Sequence, residues 1–413
     1  MTSQSVPPIV LNPGDLDPTF GENGVVELLP VTATIRAMVE DKLGGIVYAL
    51  WVQHEIWLSR VFGDGRPDLG FGQGGVTKWS FVPGLVSAPT QLILQGDGKI
   101  LLIGAVRSHA VIGPSQIALT RFHSNGSPDL IFGNKILPFP SVGKITTDFP
   151  RGCLHNDGRI LVAASYSLRD NQNQTIYEEI ILHQLQANGD TDLTFGGGRG
   201  FIEVRFNGHN STFESVAVTK EGKILIAGTS DRLIGSSTNK KQAVSRLLSS
   251  GATDRTFGVY GCWEAEGVNQ SGAMTLHGDN IVVVGFEITG PFKACISQLT
   301  ADGVYDPEFN GGKRLLIDIP ADQPGWFVWC HYVALQGDGK IVAAGYAGDV
   351  TQSFLLRVHT NGEVDSGFAD EGVRMLEPSS LWGGLLVQKQ NQRIVVGLDS
   401  ANYGEAKLVG VVS

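Results

Sequence analysis

Gln336-Gly337-Asp338-Gly339-Lys340-Ile341-Val342-Ala343-Ala344-Gly345, followed by Phe354-Leu355-Leu356-Arg357-Val358-His359-Thr360-Asn361-Gly362-Glu363-Val364-Asp365-Ser366-Gly367-Phe368, is the most regular copy of a pattern that fills this chain. Its closing phrase, Asp, two residues, Phe, recurs at Asp17/Phe20, Asp68/Phe71, Asp129/Phe132, Asp192/Phe195, Asp254/Phe257 and Asp306/Phe309. The phenylalanines are 51, 61, 63, 62, 52 and 59 residues apart, which tiles the chain with one repeated unit and leaves no room for a second domain. Residues 1–413 therefore read as a single repeat domain, with residues 1–13 as an N-terminal extension.

Inside the unit, a Gly-bounded run rich in Ile and Val, such as Ile100-Leu101-Leu102-Ile103 or Ile224-Leu225-Ile226-Ala227, reads as a strand buried on both faces. A shorter apolar strand precedes it across an Asp-Gly turn, for example Gln95-Gly96-Asp97-Gly98, whose positive φ suits a tight hairpin. A third strand follows a variable loop, as in Ile117 to Phe122 or Ala243 to Leu248. The fourth comes after the Asp-x-x-Phe phrase, as in Gly372 to Leu376, and is the most mixed in polarity. Four strands whose last is the least apolar describe a β-propeller blade running from a central channel outward, and seven units predict seven four-stranded antiparallel blades in an all-β fold.

The phrases Asp-Gly-Lys-Ile, Arg-Phe or Arg-Val, Asn-Gly and Asp-x-x-Phe-Gly together resemble the delta-60 repeat of bacterial proteins and, more distantly, the NHL repeat. The resemblance covers residues 12 to 413. It implies a propeller and no common activity. Units one (Lys42 to Ile46), five (Gly278 to Ile281) and seven (Gln390 to Ile394) depart from the Asp-Gly-Lys turn.

The chain begins at a fourth strand, Val25 to Leu28, and ends at a third, Lys407 to Val412. Pairing these two would make the N-terminal strand the outer strand of the last blade and remove a weak seam.

A formal charge of -10 with no basic run argues against nucleic acid and anionic membranes as partners, since both call for clustered Lys and Arg. No segment has the ~18 apolar residues of a membrane span, and the N-terminus lacks the pattern of a secretory signal. Membrane insertion is not expected. The default location is cytoplasmic, with signal-independent export as the alternative. Cys153, Cys262, Cys295 and Cys330 show no CxxC spacing and read as buried thiols.

In six units an Arg or Gln lies eight residues before the repeat aspartate: Arg60, Arg121, Gln184, Arg246, Gln298 and Arg357. Because Gln serves as well as Arg, the residue reads as a hydrogen-bond donor that ties down the Asp-x-x-Phe loop. Gly410 holds this position in the closing unit, which predicts that Asp17 lacks the partner. The aspartates lack the several further oxygens that calcium needs, so no metal or other cofactor is expected.

Both hairpin phrases fall at one end of the ring and barely vary. The opposite end carries the variable loops, including residues 107–116, 167–179, 231–241 and 321–330, which is where a rigid scaffold usually places function. On that face the innermost strands are expected to begin near Arg36, Gln91, Arg151, Ser215, Ala273, Tyr332 and Leu385, with Glu214 and His331 one position earlier. Arg36 and Arg151 suit an anionic ligand. Trp326, Trp329 and Trp382 lie in loops entering the last two blades and suit a stacking platform or a protein contact. His123 and His359 read as turn residues with exposed rings.

The expected function is non-catalytic recognition of a protein or glycan partner by Arg36, Arg151, Glu214, Trp326, Trp329, His331, Tyr332 and Trp382. The alternative is hydrolysis or elimination on an anionic or sugar-like substrate, with Glu214, His331 and Tyr332 as acid and base groups. Removal of residues 1–30 is predicted to lower the melting temperature by many degrees through loss of the closing strand. An unchanged melt would contradict that pairing.

Overall fold

The computed structural model describes residues 10–30, 32–108, 115–138, 144–146, 149–169, 175–234, 237–288, 290–320, 327–348, 352–400 and 405–413. Among these, helix is confined to two short 3-10 turns, Gly196–Gly198 and Phe206–Gly208. Each Ile/Val run becomes the second strand of an antiparallel sheet. Thr34–Glu40, Ile46–Val52, Glu55–Val61 and Val76–Trp79 pair in chain order. The same order holds from Val86 to Ile136, from Asn210 to Glu264 and from Asn269 to Ile317. In the sheet from Lys144 to Val204 the first strand is split into Lys144–Thr146 and Arg151–Leu154.

The remaining sheet has seven strands. Val328–Leu335, Ile341–Ala347 and Gln352–Val358 lead into one long strand, Val373–Val387. Its first half pairs with Gln352–Val358 and its second half with Ile394–Ser400, which is followed by Ala406–Val411 and then Val25–Glu27. Val25 thus lies opposite Val409, and Glu27 opposite Lys407.

The second strands are buried on both faces because a neighbouring sheet covers each side. Leu58 and Phe71 pack with Leu102 and Phe122, and Leu101 and Phe132 pack with Val162 and Ile181. Two further clusters involve the wide sheet. Leu355 and Phe368 meet Ile394 and Val409 between its halves, while Val395, Ala406 and Leu408 meet Ile35, Ile46 and Leu50 of the first sheet. Burying faces of this kind gains ~25 cal/mol per Å² of apolar surface removed from water.

The Asp-x-x-Phe phrase holds one sheet to the next. Each predicted donor reaches its aspartate: Arg60 Nε donates to Asp68 at 2.8 Å, Arg121 to Asp129 at 2.9 Å and Gln184 Nε2 to Asp192 at 2.8 Å. Arg246, Gln298 and Arg357 repeat the contact at 2.9, 2.7 and 2.8 Å. The Lys of the Asp-Gly-Lys turn converges on the same carboxylate, with Lys99 3.1 Å from Asp129 and Lys223 2.8 Å from Asp254. Unit five has no Lys there, and Asn280 donates to Asp306 instead at 2.7 Å. Burial alone would raise the Asp129 carboxyl, but hydrogen bonds from Lys99 and Arg121 hold it at about 2.

The phenylalanine crosses to the following unit. There the Asn-Gly or Asp-Gly turn must be glycine: a Cβ on Gly126, at φ +84°, would fall 2.5 Å from the Phe71 ring, and one on Gly303 would fall 2.7 Å from Phe257. The amide after the phenylalanine then donates to a turn carbonyl, as Gly72 does to Asn125 and Gly258 to Asp302, both at 2.8 Å.

Asp17 corrects one expectation. Gly410 does occupy the donor position, but Arg393, from the turn before the second strand, fills the space and donates its Nε to Asp17 at 2.6 Å. The absence of a side chain on Gly410 is what admits it, since a Cβ there would lie 2.7 Å from Phe20 and 3.0 Å from Arg393 Cδ.

Asp254→Ala should destabilise the chain by about 3–5 kcal/mol, because it strands the buried Arg246 guanidinium. Asp306→Ala, which strands the side-chain amides of Gln298 and Asn280 and the backbone amide of Glu308 but no buried charge, should cost about 1–3 kcal/mol. Denaturant unfolding midpoints of the two variants check the order.

Candidate functional site

A β-bulge in the first strand of most sheets builds the site. The register slips between Ile35 and Ala37, Pro89 and Gln91, Phe213 and Ser215, Ser271 and Ala273, and Cys330 and Tyr332. The skipped residues are Arg36, Thr90, Glu214, Gly272 and His331. A bulge frees its extra residue from the strict alternation of a strand, so neighbouring side chains can share a face. His331 and Tyr332 accordingly line the same space. Arg36 corrects its expected place: it belongs to the bulge row with Glu214 and His331, and Ala37 takes the position that matches Gln91, Arg151 and Tyr332.

These rows border a cavity of about 390 Å³ at the variable end of the sheets. Arg36, Arg151, Glu214, Trp329, His331 and Tyr332 all line it. Trp326 lies outside the described residues, as does the Trp382 side chain. The backbone of Trp382 is in the strand Val373–Val387, and Trp329 is in Val328–Leu335, so neither sits in the loop expected from the sequence.

Trp329 is a packed wall. Its ring stacks on His331 at 4.6 Å and meets Phe286 at 5.1 Å and Phe327 at 5.8 Å. Tyr346 meets the same imidazole at 4.9 Å and lies 6.1 Å from the Trp329 ring. The guanidinium of Arg151 lies 5.4 Å from the Tyr332 ring centre, and that of Arg36 lies 5.2 Å from Trp51. Arg36 Nε donates to the Thr34 hydroxyl at 3.2 Å.

Burial pushes the Glu214 carboxyl up to about 8, against the opposing pull of Arg151. The same burial, aided by Arg151, lowers the His331 imidazole to about 3. Near neutral pH the site thus pairs a protonated carboxyl with an uncharged imidazole beneath fixed positive charge. Trp329 Nε1, His331 Nε2 and Asp231 Oδ1 are buried and have no hydrogen-bond partner. Such atoms cost stability unless something else satisfies them.

Asp231, Glu178 and Lys240 were not singled out by the sequence. Residues 167–169 and 231–234, read as loop, continue the strands Ile160–Arg169 and Ile224–Ile234, and their partners Thr175–Leu185 and Ser237–Leu247 are equally extended. These two long hairpins raise one wall of the cavity and carry Glu178, Asp231 and Lys240. Their signal was the length of the two inserts.

Elsewhere His123 is exposed, whereas His359 is half-buried with Nε2 3.4 Å from Asp365, so it is tied to the clamp. Cys262, Cys295 and Cys330 are buried and Cys153 is partly so, and all four are free thiols. Among the described residues no group of three or more His, Cys, Asp or Glu side chains is arranged to hold a metal, and no helix is long and apolar enough to cross a membrane.

Residues 95–132 and 336–368 match a family model described as a domain of unknown function (DUF5122) beta-propeller. The fold is similar to that of a catalytically inactive virginiamycin B lyase from Staphylococcus aureus solved with quinupristin, with TM-score 0.50 and 12% identity over 94% of this chain and 99% of that one. It is also similar to a PL25 ulvan lyase bound to -[GlcA(1-4)Rha3S]-, with TM-score 0.51 and 11% identity over 93% and 96%. At such identities the likeness is one of fold: a β-propeller. No curated protein matches the chain in sequence.

Between pH 6.5 and 8 the raised Glu214 carboxyl should govern the site's contribution to stability. A carboxyl raised from 4.5 to about 8 stabilises fully below pH 4.5 and loses that contribution as pH rises through 8, whereas the lowered His331 acts only below pH 6.5. Melting temperatures across this window should fall less steeply for Glu214→Gln than for the parent chain.

Proposed function

We propose that this chain is a seven-bladed, delta-60-like β-propeller whose channel cavity recognises a small carboxylated sugar or the end of a glycan that carries one. Seven blades follow if the wide sheet is divided at the middle of Val373–Val387. Closure by the N-terminal strand is supported by the register Val25 to Val409, by the Arg393 to Asp17 contact and by the amide of Ala369 donating to Pro13 at 2.8 Å. The last contact repeats, between the two ends of the chain, the bond that other units make to their successors.

The observation that carries the ligand reading is the convergence of Arg36 and Arg151 on one cavity whose Trp329 Nε1 and His331 Nε2 lack partners. Guanidinium groups favour planar anions such as carboxylates. A cavity of this volume accepts a sugar-sized ligand and excludes a folded protein domain. Ring hydroxyls would satisfy the indole and imidazole nitrogens, which an apolar ligand would leave unpaired.

Calorimetric titration with D-glucuronate and D-glucose tests the reading. Glucuronate should bind saturably and at least about tenfold more tightly than glucose, with Arg151→Ala removing most of that difference. Equal affinities for the acid and the neutral sugar, or no binding of either, would contradict it.

A further inference from the structure

We infer that the cavity hydrolyses the glycosides of such carboxylated sugars, with Glu214 as the proton donor and Asp231 as the base that activates water. The inference rests on the ligand reading above and goes beyond it to a reaction.

The two carboxyl groups stand on adjacent strands of one sheet. Asn210–Val218 carries Glu214 at its bulge, and Ile224–Ile234 carries Asp231 opposite Asn210. Thr212 and Thr229 face each other between them, and all four line the cavity. At ~3.3 Å per residue, the offset of between three and four residues separates the two positions by on the order of 12 Å along the strands. Both side chains line one cavity, and residues that far apart along it suit the ~6.5–9.5 Å carboxyl separation of an inverting pair, with room for a water, better than the ~5 Å of a nucleophile in direct contact with the sugar carbon.

The environments divide the roles. Glu214 lines the cavity at the bulge, and burial of its carboxyl keeps the proton on near neutral pH, so it enters the reaction able to donate. Asp231 stands on the raised hairpin and lines the cavity, and no hydrogen bond engages its Oδ1, so that oxygen is not committed to another donor. Arg151 lies close enough to act electrostatically on Glu214 and favours the carboxylate that donation leaves. In the step, the Glu214 proton passes to the glycosidic oxygen as its bond to the anomeric carbon breaks. A water oxygen bonds to that carbon from the opposite side and its proton passes to Asp231. Solvent then returns a proton to Glu214 and removes one from Asp231, so the net reaction consumes one water.

The test uses the full chain with 4-nitrophenyl and methyl glycosides of glucuronic and galacturonic acid in both anomeric forms. At least one should be hydrolysed, with the first-formed sugar of inverted configuration by proton NMR. Glu214→Gln should lower kcat on that methyl glycoside by at least about 100-fold and affect the 4-nitrophenyl substrate less, since a good leaving group needs less protonation. Asp231→Ala should lose activity on both and regain part of it with added azide. Both variants should keep the parent's melting profile at pH 6.5 within a few degrees, and His183→Gln, a buried change outside the cavity, controls for general disturbance. Glucuronate binding by the parent chain without hydrolysis of any of these glycosides would overturn this inference and leave the ligand reading standing. Activity unchanged in Glu214→Gln, or retained configuration in the product, would overturn it as well.

Discussion

The aspartate of the Asp-x-x-Phe phrase is the contact on which the rest depends. It accepts from the third strand, through Arg or Gln, and from the second, through Lys, Arg or Asn. Its carboxylate also caps the turn that follows, as Asp254 Oδ1 does for the amide and hydroxyl of Thr256 at 3.2 and 2.6 Å. The phenylalanine that the turn presents is then committed to the next sheet, where glycine makes room for it. One residue therefore fixes the hairpins within a unit and the stacking between units. Repeat proteins owe their stability to such nearest-neighbour terms, and here the term is polar at its centre and aromatic at its edge.

Rigidity at that end frees the other. With hairpins clamped on the constant face, the opposite ends of the strands can carry bulges, polar residues and unsatisfied atoms without losing the fold. Glu214, His331, Trp329 and Asp399 lie there, each with a buried group that a purely structural design would avoid. Asp399 shows how local the compromise is. It accepts from the Ile35 amide at 2.9 Å, in a position where Ser165 accepts from Phe213 and Thr229 from Ser271, and burial pushes its carboxyl up to about 7.

The fold was readable because its cause is repeated. The eight-residue offset seen from Arg60 to Asp68 occurs in six units, and a constant interval between two polar residues has few explanations other than contact. The site was readable in part: Arg36, Arg151, Glu214, His331 and Tyr332 could be assigned to the inner strands of the variable end. What the sequence hid was the bulge. Strand alternation separates His331 from Tyr332, and only a slipped register brings both to one space. Asp231 and Glu178 were hidden for a different reason, because a long polar hairpin and a loop have the same composition until cross-strand pairing is known. Arg393 was missed because a donor can arrive from a second strand when the usual position is glycine.

The two ends of the sheets divide the labour: one clamps each sheet to the next, and under the proposed function the other binds. Amide hydrogen exchange with and without D-glucuronate tests it most directly. Slow exchange is expected at the Phe-Gly amides of the clamp in both states, with added protection confined to the strands around Arg36, Thr90, Glu214 and His331. Protection gained at the Asp-x-x-Phe face, or fast exchange there in the unliganded chain, would contradict it.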